Sequence, residues 1–580
     1  MSNRNTNLIA AALLIIMFFL AVFSMKDDSL TMDEMSHLPA GYSYLTQKDM
    51  RINPEHPPLI KDLAAAPLLF IKGIKFPSDI KAWKDDINGQ WDFGSYFLYQ
   101  TGNPVDQMIF WGRIPMILIL ILLGFYIFKW AKELFGNKAA LLALFLFSFS
   151  PTFLAHGRLV TTDVGAAAGI LIATYYFLKA LYLPTRKNII LAGISLGIAE
   201  LCKFSVILLI PAFVFYGLIW WLVKLGNFKQ TLKTLVAVFV IAFILIWPIY
   251  QYHVWNYPPA MQVRDATNNL AAFPDFIKKP IIWGSDKPII RPYAQYFTGL
   301  FMVFNRVTGG NTTYFLGEVS NRGWRYYFPV IYLIKETVTF HILSLIAVIY
   351  TFWFVKNYKG KNILDKASDL IKSYFTEFCM LAFMGIYWAA SLVGTLNIGI
   401  RHLLPAFPFT ILLVSAVIGS WLKEPFLKKK YYLLAILILW QTISIIAVYP
   451  HFLAYFNELV GGPNKGYIYA VDSNLDWGQD MKRLAKWTDE KGISRIYVDY
   501  FGGTDPNYYL KEKNYGWWCS RSKEEFPRGS YLAVSATFLQ NGTGKMAKGF
   551  TQGSNGCYRW LNNYQPIEKI GYSIFIYRID

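Results

Sequence analysis

Apolar runs close to bilayer-spanning length recur along this chain, and nothing else in it restricts the fold as strongly. Eleven can be marked, at 7-25, 110-128, 139-156, 164-182, 189-202, 204-223, 234-252, 338-355, 378-396, 402-421 and 431-449. A helix needs roughly 20 residues to cross the hydrocarbon core, and in lipid the backbone must satisfy its own hydrogen bonds, so such runs fold as helices. With 54% hydrophobic and only 16% charged residues among 580, the soluble and disordered classes are excluded. An α-helical polytopic membrane protein with about 11 transmembrane helices is expected. The first run follows Arg4 and has a longer core than a cleaved signal peptide. It reads as a retained helix with a cytoplasmic N-terminus.

A net charge of +19 would suit a nucleic-acid partner, but much of the Lys and Arg lies in short loops between apolar runs. There it reports topology. With the N-terminus inside, the cytoplasmic loops become Lys129 to Lys138, Lys179 to Lys187, Lys224 to Lys233, Lys356 to Lys372 and Lys423 to Lys430. The long segments 26-109 and 253-337, and everything after 450, then fall on the exoplasmic side. Two domains are expected: a transmembrane domain over 1-450 carrying those two outer loops, and a soluble exoplasmic α/β domain over 451-580. The second has a polar helix at Met481 to Lys491 and strand-like runs at Ile493 to Tyr500, Tyr531 to Ala536 and Ile570 to Tyr577. Cys519 and Cys557 both fall in it and have the option of a disulfide in an oxidising compartment. Walker, GxSxG, HExxH and CxxC patterns do not occur, so nucleotide hydrolysis, serine hydrolysis and metalloprotease chemistry lack their usual supports.

The ionisable residues near the apolar runs collect at one boundary. Asp33 and Glu34 follow the first run, within the stretch Thr31 to Leu69 that also holds His37, Glu55 and His56; Asp163, Lys203, Lys335, Arg401 and His402 lie at the outer ends of later runs. A transporter would be expected to place such groups near the bilayer midplane, in repeated halves. An outer layer suits a reaction on a lipid headgroup with the tail left in the bilayer. Transfer of a sugar from a lipid phosphate needs a carboxylate near the attacking hydroxyl and cations for the departing phosphate. Asp33 and Glu34 can supply the first, and Lys203, Lys335 and Arg401 the second. Asp33, Glu34 and Asp163 also make a candidate ligand set for a divalent cation, Mg or Mn. Each has a plainer reading: solvated boundary acids, an N-cap at Thr161-Thr162-Asp163, snorkelling cations, a Pro-rich turn in NPEHPPL.

The order of DE, NPEHPPL, LVTTDVG, YYFPVIYLIKET, NIGIRHLLPAFPF and DSNLDWGQD resembles the bacterial members of the protein O-mannosyltransferase-like superfamily, GT-C fold glycosyltransferases related to the lipid A aminoarabinose transferases. The resemblance spans the chain. It implies an inverting transferase in the bacterial inner membrane that takes a polyprenyl-phosphate-linked sugar as donor at the exoplasmic face, with a glycan, lipid or protein acceptor. Carried over, Asp33 matches the essential acid of the first outer loop, Glu34 its neighbour, Asp163 the second acid, and Lys203 the base facing donor phosphate. Arg401 and His402 match an RH motif, for which a phosphate or substrate role is inferred; His37, Glu55 and His56 are expected as substrate contacts or supports of the loop. The segment 253-337 has no room for the β-trefoil of the eukaryotic enzymes, and the C-terminal module is unlike that of the aminoarabinose transferases. Readings from other classes are a flippase for lipid-linked sugars and a non-catalytic envelope assembly protein.

Overall fold

The computed structural model describes residues 2–358, 362–423, 427–553 and 556–579; parts of two basic loops, 359–361 and 424–426, lie outside them. Every expected apolar run is found in helix. Among the described residues nine helices, from Asn3–Ser24 to Lys428–Val448, are long and apolar enough to cross a membrane. The two remaining runs give the shorter helices Asn137–Ser148 and Arg186–Glu200. The run expected as one helix over 139-156 is broken: a second helix, Pro151–His156, starts afresh with Ser150 as its N-cap. Proline has no N–H to continue the first helix but suits the first turn of the next. Pro405 has a related effect, and the tenth run opens as a 3₁₀ turn, Ile400–Ala406, before the helix Phe407–Trp421.

Helix Asp163–Tyr182 is the central one, with most of its residues buried. Its small residues permit this: a Cβ on Gly169 would come within 2.9 Å of Ala199, so helix Arg186–Glu200 packs almost backbone to backbone against it. The peripheral helices leave Leu8, Phe125, Ile244 and Val348 exposed, the dress of surfaces that meet lipid.

The two long segments expected on the exoplasmic side are folded, not loops. The first carries helix Met32–Gln47, which starts with a capping box: Glu34 accepts from the backbone N–H and hydroxyl of Thr31, both at 2.9 Å. The second carries the amphipathic helix Arg291–Gly309 and the hairpin β1 (Thr313–Phe315) and β2 (Glu318–Ser320).

After residue 450 come helix Met481–Glu490 and strands β3 (Ile496–Asp499), β4 (Asn514–Gly516), β5 (Ser530–Ser535), β6 (Lys545–Met546), β7 (Glu568–Ile570) and β8 (Ile574–Ile579). Five form a sheet in the order β4-β3-β5-β8-β7, β3 parallel to β4 and β5, and β8 antiparallel to β5 and β7. The sixth, β6, pairs with β2 of the outer segment instead. Cys519 and Cys557 are joined by a disulfide. The C-terminal region is tied to the start of the chain as well: Ser29 N–H donates to Gln479 O at 2.9 Å and Met32 N–H to Trp477 O at 3.0 Å.

Candidate active site

Asp33 lies in the first turn of Met32–Gln47 and Asp163 in the first turn of Asp163–Tyr182. Lys203 ends the turn after Arg186–Glu200, and Arg401 lies in the 3₁₀ turn Ile400–Ala406. Four elements thus bring their charges to one end of the bundle, where they form a chain. Arg401 Nη1 donates to Asp33 Oδ2 at 2.6 Å and to Asp163 Oδ2 at 3.3 Å, and Lys203 Nζ donates to Asp163 Oδ1 at 2.5 Å. Arg401 Nε also donates to Ser473 Oγ at 3.2 Å, and its guanidinium lies 4.2 Å from the centre of the Trp477 ring.

Asp33 is the accessible acid, 20% exposed against 1% for Asp163. Burial by itself would push its carboxyl up, but the Arg401 charge, with lesser help from Arg306, holds it below the usual carboxylate range. It is therefore an ionised carboxylate at neutral pH. His37, one helical turn on, donates Nδ1–H to Val160 O at 2.9 Å and meets the His56 ring edge to face at 5.1 Å. Burial depresses both imidazoles, which stay neutral.

These groups line one end of a cavity of about 310 Å³. Asp33, His37, His56, Lys203, Arg401 and His402 face it, and the Nε2 of His402 has no protein partner among the described residues. Glu55 lines it too, held by Gln90 at 2.6 Å and Asn88 at 3.0 Å, with the Trp91 ring beside them. The rest of the wall is apolar, built from Phe204, Leu208, Leu300, Val303 and Phe304. The lining therefore offers charged groups to a phosphate or a hydroxyl-rich group and apolar surface to a hydrocarbon chain.

Three expectations from the sequence are corrected by this geometry. Glu34 does not join Asp33. It is buried, takes Arg113 Nε at 2.8 Å and Nη2 at 2.6 Å, and accepts the Val160 N–H at 3.0 Å, besides capping its helix. Lys335 does not face a phosphate site. It is buried, with Nζ donating to the carbonyls of Leu453, Tyr455 and Asn474 at 2.9, 2.6 and 2.6 Å, so it pins the segment after the last membrane helix. Asp33, Glu34 and Asp163 do not form a metal ligand set either. Asp33 Oδ2 and both oxygens of Asp163 accept from Arg401 or Lys203, Glu34 is turned away to Arg113, and no group of three or more His, Cys, Asp or Glu that could hold a metal ion occurs among the described residues. A carboxylate pair already bridged by a guanidinium does not fit Mg or Mn.

The sequence reading missed Arg306. It lies on the last turn of Arg291–Gly309, lines the cavity and forms no ion pair among the described residues. The signal was the amphipathic period of that helix, inside a segment read as loop. It also missed Ser473 and Trp477, although the motif holding them stood out.

Residues 100–247 match the family described as dolichyl-phosphate-mannose-protein mannosyltransferase; Arg113, Asp163 and Lys203 lie in the matched part. The structure resembles that of the S. cerevisiae protein O-mannosyltransferase Pmt1-Pmt2 complex bound to the sugar donor, with a TM-score of 0.51 at 12% identity over 78% of this chain and 90% of that one. At such identity the likeness speaks for the fold. Lower scores are found for ArnT from Cupriavidus metallidurans bound to undecaprenyl phosphate (TM-score 0.47, 11% identity, 100% and 98% of the chains). The oligosaccharyltransferase AglB from Archaeoglobus fulgidus, in complex with an inhibitory peptide and a dolichol-phosphate, scores 0.45 (12% identity, 92% and 71%). No curated protein sequence matches the chain at a significant level. The chain has the GT-C fold, and its residues 100–247 are similar to the dolichyl-phosphate-mannose-protein mannosyltransferase family.

Proposed function

We propose that the protein transfers a sugar from a polyprenyl-phosphate-linked donor to a hydroxyl acceptor at the exoplasmic face, with inversion at the anomeric carbon. The observation that carries this is one cavity whose lining combines an ionised Asp33 and the cations Arg401, Lys203 and Arg306 with an extended apolar wall. A lipid phosphate combines the same two kinds of surface, and the S. cerevisiae complex that this fold resembles is bound to its sugar donor.

In this reading the acceptor oxygen attacks the anomeric carbon on the face opposite the phosphate, a new C–O bond forms, and the sugar–phosphate C–O bond breaks. Its electron pair leaves with the phosphate, and Asp33 takes the acceptor's proton. Arg401 orients Asp33 and, with Lys203 and Arg306, offsets the charge that grows on the phosphate. Glu55, Gln90 and Trp91 offer hydrogen bonds and a ring face to the sugar. No step needs a metal ion.

Asp33→Asn keeps the shape and removes the base. Turnover with a polyprenyl-phosphate sugar should fall by about 100-fold or more, in the range general base catalysis supplies, while the thermal midpoint in detergent stays close to that of the unaltered protein. Unchanged turnover would remove Asp33 from the mechanism.

A further inference from the structure

Nine consecutive residues, Asp472–Asp480, touch Arg401 on one side and the backbone leading into Asp33 on the other. On the arginine side Ser473 Oγ accepts from Arg401 Nε and donates to Ile398 O at 2.6 Å, Asn474 Oδ1 accepts from Ile400 N–H at 3.0 Å, and the Trp477 ring lies against the guanidinium. On the aspartate side Trp477 O accepts from Met32 N–H, the residue before Asp33, while the carbonyls of Gly478 and Gln479 accept from the hydroxyl and N–H of Ser29. Ser473, Asn474 and Trp477 are all buried. A Cβ on Gly399 would come within 2.1 Å of Ser473 Oγ, so the approach of this segment requires a glycine there. Asp472 holds a left-handed backbone, φ 56°, a conformation whose cost is borne where surrounding contacts fix the chain.

We propose that Asp472–Asp480 is a positioning element of the reaction centre, in which the Trp477 ring and the Ser473 hydroxyl fix the Arg401 guanidinium against Asp33. A guanidinium is a planar fork. Two carboxylates and a hydroxyl set directions within its plane, and an aromatic face sets the plane itself. The geometry stands by itself; its consequence for turnover rests on the transfer reading given above.

The test uses the full-length protein with W477A, S473A and W477F, and W518A at the exposed Trp518 as control. Phenylglyoxal labelling followed by peptide mass spectrometry reads the Arg401 side chain without any substrate. Labelling of Arg401 should be slow in the unaltered protein and W518A, faster by about tenfold in W477A, as loss of a desolvated cation–π contact allows, and slow again in W477F. S473A should show a smaller increase, and it carries the test if W477A does not fold. In the transfer assay W477A should lower kcat by about 100-fold, with donor KM within about threefold, as misplacement of a catalytic group does. The acid limb of its pH profile should move up. The charged or titratable groups around Asp33 are Arg401, His37, Arg306, His402 and Asp472, and those around Arg401 include Asp33, Asp163, Asp472, His37, His156 and His402; W477A also uncovers the His156 ring, which S473A leaves covered, so a shift shared by both variants reports Arg401. Unaltered Arg401 labelling in folded W477A and S473A overturns the clamp, and faster labelling with unchanged kcat overturns its role in positioning. If the unaltered protein transfers no sugar, the transfer reading fails and the labelling still decides the clamp.

Discussion

Asp33 and Glu34 are neighbours of one chemical kind with opposite fates. Helix geometry turns adjacent side chains about 100° apart, so Asp33 faces the cavity while Glu34 faces Arg113 inside the protein. The Glu34–Arg113 pair is 1% exposed on both sides. Removing one partner of such a pair strands the other charge, and Glu34→Gln should cost about 3–5 kcal/mol, read as a fall in the thermal midpoint. Burial would raise the Glu34 carboxyl, but Arg113 and the N–H groups of Thr31 and Val160 outweigh it and hold it low. Its stabilisation is therefore complete above the unfolded value of about 4.3 and drains away as pH falls through the lower folded value. Glu34→Gln should weaken the acid limb of a stability-versus-pH curve; an identical limb would contradict this account. The sequence made both acids legible as costly groups at a boundary. Which of the two is free depended on Arg113, 79 positions away, and spacing alone does not reveal such a partner. The T-x-x-E pattern of a capping box was the available local clue.

Among the elements, the apolar helices were the easiest to read, because the bilayer demands a length and a composition that few other structures share. Amphipathic helices in the outer segments were not, since Arg291–Gly309 mixes apolar with polar residues and is shorter on hydrophobicity than a span. Its position is set by close approach: a Cβ on Gly299 would fall 2.1 Å from Pro54 O, within NPEHPPL. Gly299→Ala forces that helix and the loop apart. It should cost about 1–3 kcal/mol in the thermal midpoint and weaken donor binding, because the displaced helix carries Leu300, Val303 and Arg306 of the cavity wall. A variant with unaltered stability and donor KM would show that this contact does not position the wall.

Over the whole molecule, the division at residue 450 separates composition more cleanly than it separates structure. The five-stranded sheet, the helix Met481–Glu490 and the disulfide all lie after residue 450. Its links to the outer segments arise from backbone pairing, Ser29 and Met32 with residues 477–479 and β2 with β6, which carries no side-chain signature. Opening the Cys519–Cys557 link, which closes a separation of 38 residues, should lower stability by about 2–4 kcal/mol in C519S/C557S. The Arg401 contacts lie outside that crosslink, so turnover per folded molecule should stay near that of the unaltered protein; a collapse of turnover would place the disulfide in the reaction centre.

The hydrogen bonds of Ser29 reach residues 449 and 452 positions later, and chains are made from the N-terminus onward. Asp33 is thus synthesised well before Ser473 and Trp477, the groups that fix its surroundings. A ribosome-bound chain that has released only residues up to 450 still lacks its assembled centre, so catalytic competence arrives only when residues 472–480 have emerged and folded back onto the segment that carries Asp33.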